Sequence, residues 1–146
     1  MKMALGLSYE TDNIFAKIIR GEIPCTKIYE DDALLSFMDL FPQSRGHALV
    51  IHKQAQATNL FDIESQSLSE LIVGVQKIGT AMIAALNPDG VKTAQFNGAS
   101  AGQTVFHLHF HLIPTYEDMS LTSHGQSGQA DPAELDAIAA SIRAKL

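Results

Sequence analysis

The spacing of apolar residues changes along the chain, and each change marks an element. In "DNIFAKIIRGEIP" Ile14, Ile18 and Ile19 recur on one face of a helix that Asp12 or Asn13 can cap and that Gly21 and Pro24 end. "TKIYED" and "LLSFMDL" are strand-like and separated by an acidic turn, and Phe41-Pro42 closes the second. "GHALVIHK" is a third apolar strand with a histidine towards each end. From Glu64 to about Leu86 the period becomes helical, carried by Leu68, Leu71, Ile72, Val75, Ile78, Met82 and Leu86, until Asn87-Pro88-Asp89-Gly90 stops it. "VKTAQFN" and "TVFHLHFHLIP" return to strand character on either side of the Gly-containing loop "GASAGQ". A polar link over 122–130 leads to a last helix. Asp131 caps it, Pro132 takes its first position, Glu134 follows three residues after the cap, and Leu135, Ile138, Ile142 and Leu146 form its apolar side.

The order α-β-β-β-α-β-β-α predicts an α+β domain, with an antiparallel sheet of about five strands carrying one long and two shorter helices. The 146 residues show no internal repeat and read as one domain, its core over about 13–116 and a helical tail over about 131–146. At 46% hydrophobic and 18% charged residues the composition is that of an ordinary globular protein. No apolar run approaches the roughly 20 residues of a membrane-spanning helix. "MKMALGLSYETDN" is too short and too quickly polar for a secretory signal, so the expected compartment is the cytoplasm. The single Cys25 agrees with that and reads as a small apolar filler. With 16 acidic against 10 basic residues and no basic stripe, nucleic acid is not an expected partner. A small anion remains possible, provided a local cluster of donors receives it.

Such a cluster lies in "QTVFHLHFHLIP". On a strand, His107, His109 and His111 share one face, Val105 continues their row, and Phe106, Leu108, Phe110 and Leu112 line the opposite, core-facing side. In a helix the same spacing would scatter the rings by about 200° per step. Three readings follow. The row could be the wet side of a strand. It could bind a metal, although neighbours stand about 7 Å apart along the strand and all three cannot reach one ion at about 2.1 Å. It could form an anion site in which imidazoles act with loop N–H groups and with Asn97, Gln103 and Thr104 as neutral donors. Neutral imidazole is also a good nucleophile towards phosphorus near its pKa of about 6.5.

"HLHFHLI" over 107–113 resembles the signature of the histidine triad (HIT) superfamily, His-x-His-x-His-x-x with apolar x. The resemblance extends to "IFAKIIRGEIP", "YEDDALLSFMDLFPQSRGHALVIHK" and "NGASAGQTVFHLHFH", and the nearest branch is the Hint, or protein-kinase-C-interacting-protein-like, one. It implies a HIT fold, a homodimer, and a hydrolase cleaving nucleoside 5′-phosphoramidates or related nucleotidyl conjugates of AMP or GMP. The covalent intermediate would be a nucleotidyl-histidine. His109 would be the nucleophile, His111 would contact the phosphate, His107 would orient the triad and His47 would complete the network. Asn97, Gln103 and Thr104 would hold the phosphate or assist the leaving group. Asp39 would bind the ribose hydroxyls, while Ile14, Phe15, Phe37, Leu40 and Leu49 would form the purine slot. The alternatives are a dinucleoside polyphosphate hydrolase and a non-catalytic purine-nucleotide-binding protein. A transferase branch carries Gln at the third histidine, and His111 argues against it.

The chain departs from the family pattern in several places. Thr104 stands where many members carry Ser, and its extra methyl crowds the leaving-group side. Asn13 and Ala16 occupy the places of a Cys-x-x-Cys zinc pair found in some relatives, so no metal and no cofactor are expected. His52 replaces a common Pro and reads as a solvated strand end, and His124 gains no role. The tail after Thr115 departs most.

Overall fold

Asn13, not Asp12, caps the first helix: the N–H of Ala16 donates to its Oδ1 at 2.9 Å, and α1 runs Ile14–Ile19. The computed structural model describes residues 4–121 and 128–146, so His124 and most of the polar link lie outside the described residues. Strands β1 (Lys27–Glu30), β2 (Leu34–Met38) and β3 (Ala48–His52) form the expected antiparallel meander. Strand β5 (His109–Thr115) pairs with β3, and β4 (Gly90–Ala94) pairs with β5, giving the order β1-β2-β3-β5-β4, antiparallel throughout.

β2 and β3 are buried along their whole length because both faces of the sheet are covered. Helices α2 (Ser65–Leu86) and α3 (Pro132–Arg143) pack on Leu34, Met38, Ala48 and Val50, and α1 lays Phe15 on Leu35, Phe37, Leu49 and Ile51. Strands wet on neither side need no polar alternation, so "LLSFM" and "ALVIH" read as near-continuous apolar runs. Each fully buried Leu, Ile or Met in this sandwich contributes about 1.5–3 kcal/mol.

The structure moves several expected positions. β5 begins at His109, five residues later than the apolar pattern predicts, because the backbone before it bonds elsewhere. The N–H of Leu108 donates to the Ala57 carbonyl, and the Val105 carbonyl accepts from the Gln103 amide. The alternation of faces still holds: Leu108, Phe110 and Leu112 join the main core and Val105 the α1 side, while Phe106 is half-buried outside both clusters. On α1 the buried residues are Phe15 and Ala16, and Ile14 is 47% exposed. On α2 Ile72 faces out and small residues take its place, since a Cβ on Gly74 would come 2.3 Å from Leu34 Cδ1. This 22-residue helix does have the length and composition of a membrane span, contrary to expectation, yet Leu71, Val75, Ile78 and Met82 are spent on the sheet. α3 ends at Arg143, which leaves Leu146 exposed beyond it. His52, expected in solvent, is 4% exposed.

Gly46 turns the chain into β3 immediately before His47. Its φ of +99° belongs to the left-handed region, and a Cβ there would meet Leu86 Cδ1 at 2.4 Å and Pro114 Cγ at 3.1 Å. Gly46→Ala is expected to lower the unfolding free energy by about 1–2 kcal/mol, read as a shift of the denaturant midpoint at constant slope.

Candidate active site

Register places the histidines. Phe37 pairs with Leu49 and Leu49 with His111, while Leu35 pairs with Ile51 and Ile51 with His109. Directly opposed residues share a face, so His109 and His111 continue two apolar rows under α1. The Phe15 ring meets the His109 ring edge-on at 4.9 Å between centroids, and the His109 and His111 rings lie 5.0 Å apart. His107, in the irregular stretch ahead of the strand, is 2% exposed on the same side.

Fixed backbone groups set the tautomers. His107 Nε2 lies 3.1 Å from the His52 carbonyl and Nδ1 lies 2.7 Å from the Tyr9 hydroxyl. A carbonyl only accepts, so Nε2 carries the hydrogen and Nδ1 receives the Tyr9 O–H. Burial pushes the His107 pKa down to about 4, against the opposite pull of the His52 carbonyl, and the ring is neutral near pH 7. The His107 carbonyl accepts the Nδ1–H of His109 at 2.7 Å, which puts the lone pair of neutral His109 on Nε2. On the other side, the N–H of Gln43 donates to His47 Nδ1 at 3.0 Å, so His47 Nε2–H donates to His111 Nδ1 at 2.9 Å. Neutral His111 then presents a donor at Nε2.

These rings border a cavity of about 230 Å³ beside α1. Ile14, Phe15, Phe37, Leu40 and Leu49 line it as expected, with Asp39, Thr104, His109 and His111 as polar residues. His47 and His107 stand behind this wall, gripping the rings that form it. Asp39 is both a turn former and a site residue: its Oδ1 accepts the N–H of Phe41 at 2.8 Å, and its Oδ2 lies 3.4 Å from His47 Nε2. Asn97 and Gln103 are not in the cavity wall. Gln103 accepts the N–H of Gly98 and donates to the carbonyls of Thr58 and Val105, and Asn97 accepts from Leu60 and exchanges bonds with Gln95. They brace the loop from behind. The N–H groups of Ala101, Gly102 and Gln103 also turn inward, to the carbonyls of Gly98 and Ala99.

Sequence reasoning missed Ile18, Ile23, Pro24, Cys25, Met38, Phe41 and Val105 in the wall, and Tyr9 behind it. "IPC" follows the end of α1 and Phe41 follows Asp39 closely, so adjacency was the available signal. Tyr9 had none. Burial raises the Cys25 thiol pKa, which fits its reading as an apolar filler.

Asp39, His47 and His111 also bring ligand atoms within 4.8 Å of one another, a two-histidine, one-carboxylate set. The hydrogen-bond chain opposes a cation there. Metallation at His47 Nε2 would send that ring's hydrogen to Nδ1, which already accepts the N–H of Gln43.

Residues 20–118 match the HIT domain. The chain belongs to the HIT family. HIT relatives include the adenosine 5′-monophosphoramidase hnt1 of Schizosaccharomyces pombe, 36% identical over 134 residues that cover 91% of this chain and 97% of the relative. The adenylylsulfatase HINT3 of Arabidopsis thaliana is 41% identical over 108 residues, covering 74% of this chain and 54% of that protein. The crystal structure of a Hit-like protein from Bartonella henselae superposes with a TM-score of 0.90 at 44% identity, over 96% of this chain and all of that one. The HIT fold is therefore that of this chain, an α+β fold whose described residues form a five-stranded antiparallel sheet and three α-helices.

The buried neutral His107 has a consequence for stability. Its pKa is near 6.5 unfolded and near 4 folded, so between those values only the unfolded state holds the proton, and stability falls as pH drops from about 6.5 to about 4. Above that window the group contributes no pH dependence. Across it the loss is about 3 kcal/mol, and His107→Gln should remove that part from denaturant unfolding measured over a pH series. An unchanged acid slope in the variant would contradict the buried neutral ring.

Proposed function

We propose that this HIT protein is a nucleotide hydrolase of the Hint-like type, cleaving nucleoside 5′-phosphoramidates or related nucleotidyl conjugates by double displacement. The observation that carries the reading is the bond from His109 Nδ1–H to the His107 carbonyl, which gives Nε2 the lone pair at the edge of a cavity with an apolar floor. The relatives named adenosine 5′-monophosphoramidase and adenylylsulfatase support the substrate class.

The purine packs among Ile14, Phe15, Phe37 and Leu49, near Leu40, and Asp39 accepts from the ribose hydroxyls. His109 Nε2 attacks the α-phosphorus, the P–N bond breaks and the nitrogen leaves as the amine once protonated. The positive charge that develops on the phosphorylated imidazole is stabilised by the His107 carbonyl. His111 Nε2–H donates to a phosphoryl oxygen, with His47 holding its tautomer. Thr104 lies on the leaving-group side, braced by Asn97 and Gln103. Water then attacks the nucleotidyl-imidazole, releasing AMP or GMP and restoring His109. Positioning and fixed dipoles carry the catalysis.

His109→Ala is expected to cut turnover of adenosine 5′-phosphoramidate by roughly three orders of magnitude or more, in steady-state assays. Intact-protein mass of a His111-altered form incubated with substrate should show a nucleotidyl adduct that His109→Ala lacks. Faster turnover of diadenosine polyphosphates would favour the polyphosphate hydrolase reading. Binding of AMP without any turnover would leave a nucleotide-binding protein.

The assembly we infer is a homodimer. Among the described residues β4 has a sheet neighbour on one side only, and α2 exposes Ile72, Val73 and Ile83. Gel filtration should give about twice the 15.8 kDa chain mass, and elution at the chain mass would contradict it.

A further inference from the structure

The segment before α1 enters the site from outside the family match. Tyr9 precedes residues 20–118, yet its hydroxyl lies 2.7 Å from Nδ1 of His107, a residue 98 positions away in sequence. The two rings meet edge-on with centroids 5.6 Å apart and an interplanar angle of 61°. The segment is held to α1: the Arg20 guanidinium donates to the Thr11 carbonyl at 2.6 Å, and the side chain and N–H of Asn13 both donate to the Glu10 carbonyl. Tyr9 is thereby presented to His107 at a fixed place.

We propose that Tyr9 is a positioning residue for the hydrolysis: its hydroxyl donates to Nδ1 and holds the His107 ring, whose tautomer the His52 carbonyl sets, in one orientation, and His107 through its carbonyl fixes His109. The inference rests on the function proposed above. A neutral imidazole has one donor and one acceptor. The His52 carbonyl takes the donor, and in this buried position the acceptor needs a donor of its own, which Tyr9 supplies. With that donor removed, Nδ1 is left a buried acceptor without its donor, and of these two bonds only the one to the His52 carbonyl still holds the ring. The ring sits on the residue whose carbonyl orients the nucleophile, so its freedom passes to His109. Tyr9 is not in the cavity wall, so nucleotide affinity should not change.

The test is Tyr9→Phe, which removes one oxygen and keeps the ring. The expected result is a kcat about fivefold lower on adenosine 5′-phosphoramidate, the equivalent of one neutral hydrogen bond, at nearly constant KM. In nitrogen-15 NMR at neutral pH the unaltered protein should show His107 protonated at Nε2 and hydrogen-bonded at an unprotonated Nδ1, and Tyr9→Phe should move the Nδ1 resonance towards that of a free acceptor with the tautomer unchanged. Placing 4-aminophenylalanine at position 9 restores an N–H donor and should recover both kcat and the hydrogen-bonded Nδ1 resonance. Unchanged kcat in Tyr9→Phe, or His107 protonated at Nδ1 in the unaltered protein, would overturn the proposal. So would a loss that the amino analogue does not rescue, which would mark Tyr9 as packing alone. If the unaltered protein turns over no nucleotidyl conjugate, the proposed function fails, and the NMR measurement still decides the Tyr9 bond on its own.

Discussion

A backbone carbonyl two residues ahead of a strand holds His109, the proposed nucleophile. The His107 carbonyl reaches His109 Nδ1 at 2.7 Å, two residues ahead on the same chain. In a regular ladder a carbonyl lies in the plane of the sheet and pairs with the neighbouring strand, so it cannot turn towards a side chain two residues on. The strand must therefore start no earlier than His109, which is where β5 begins. The Ala57 carbonyl and the Gln103 amide satisfy the preceding stretch from outside the sheet, and so release the His107 carbonyl for the imidazole. A carbonyl also neither titrates nor donates, so it fixes the His109 tautomer at every pH near neutrality.

Burying this many histidines is tolerated because their polar atoms are matched. His107 has Tyr9 and the His52 carbonyl; His47 has Gln43 and His111. His52 accepts the N–H groups of Gln54 and Ala55 at Nδ1 and meets Glu70 at 3.2 Å through Nε2. An unmatched buried donor or acceptor costs about 1–3 kcal/mol, so each imidazole is affordable only inside such a chain of partners. The partners come from β3, the loops before and after it, β5, α2 and the N-terminal segment. The site thus depends on distant parts of the chain meeting around the rings.

The sequence made the sidedness of the triad legible, since period two on a strand separates His109 and His111 from Phe110 and Leu112 whatever the neighbours are. It made the stops legible too: Asn87 takes the left-handed conformation at the end of α2, with φ 49°, and Asp131 caps α3 through the N–H of Ala133. On α1, Ile18 and Ile19 pack against the Phe15 cluster as the spacing predicts, and the residue that departs is Ile14, as apolar as its neighbours. Hydropathy ranks side chains but does not say which of two apolar faces meets the sheet and which meets a ligand. Ile14 is exposed and still lines the cavity, a condition that a binary core-or-surface pattern has no symbol for. His52 shows the opposite limit. A histidine at a strand end reads as wet unless the following loop folds back on it, and that loop's return is a tertiary event.

Asn97 and Gln103 carry the same lesson into the chemistry. Amide side chains beside glycines suggest direct donors to phosphate, yet both are consumed in bracing the loop. The N–H groups of Ala101, Gly102 and Gln103 are consumed as well, by a 3-10 turn over Ala99–Ala101 that closes on Gly98. What remains beside His109 is Thr104 and Val105, which line the cavity and whose N–H groups make no backbone hydrogen bond among the described residues. Under the proposed function, a phosphoryl group at His109 would meet the chain just past the glycine turn. The glycines act by shaping that turn, with φ +94° at Gly98 and +104° at Gly102. Gln103 locks the turn by accepting from Gly98 while donating to the Val105 carbonyl, so one side chain spans both ends of the segment that lines the cavity. Replacing it by a residue that only accepts would leave the Thr58 and Val105 carbonyls without their donor, and the peptide units at 104 and 105 free to rotate away from the cavity.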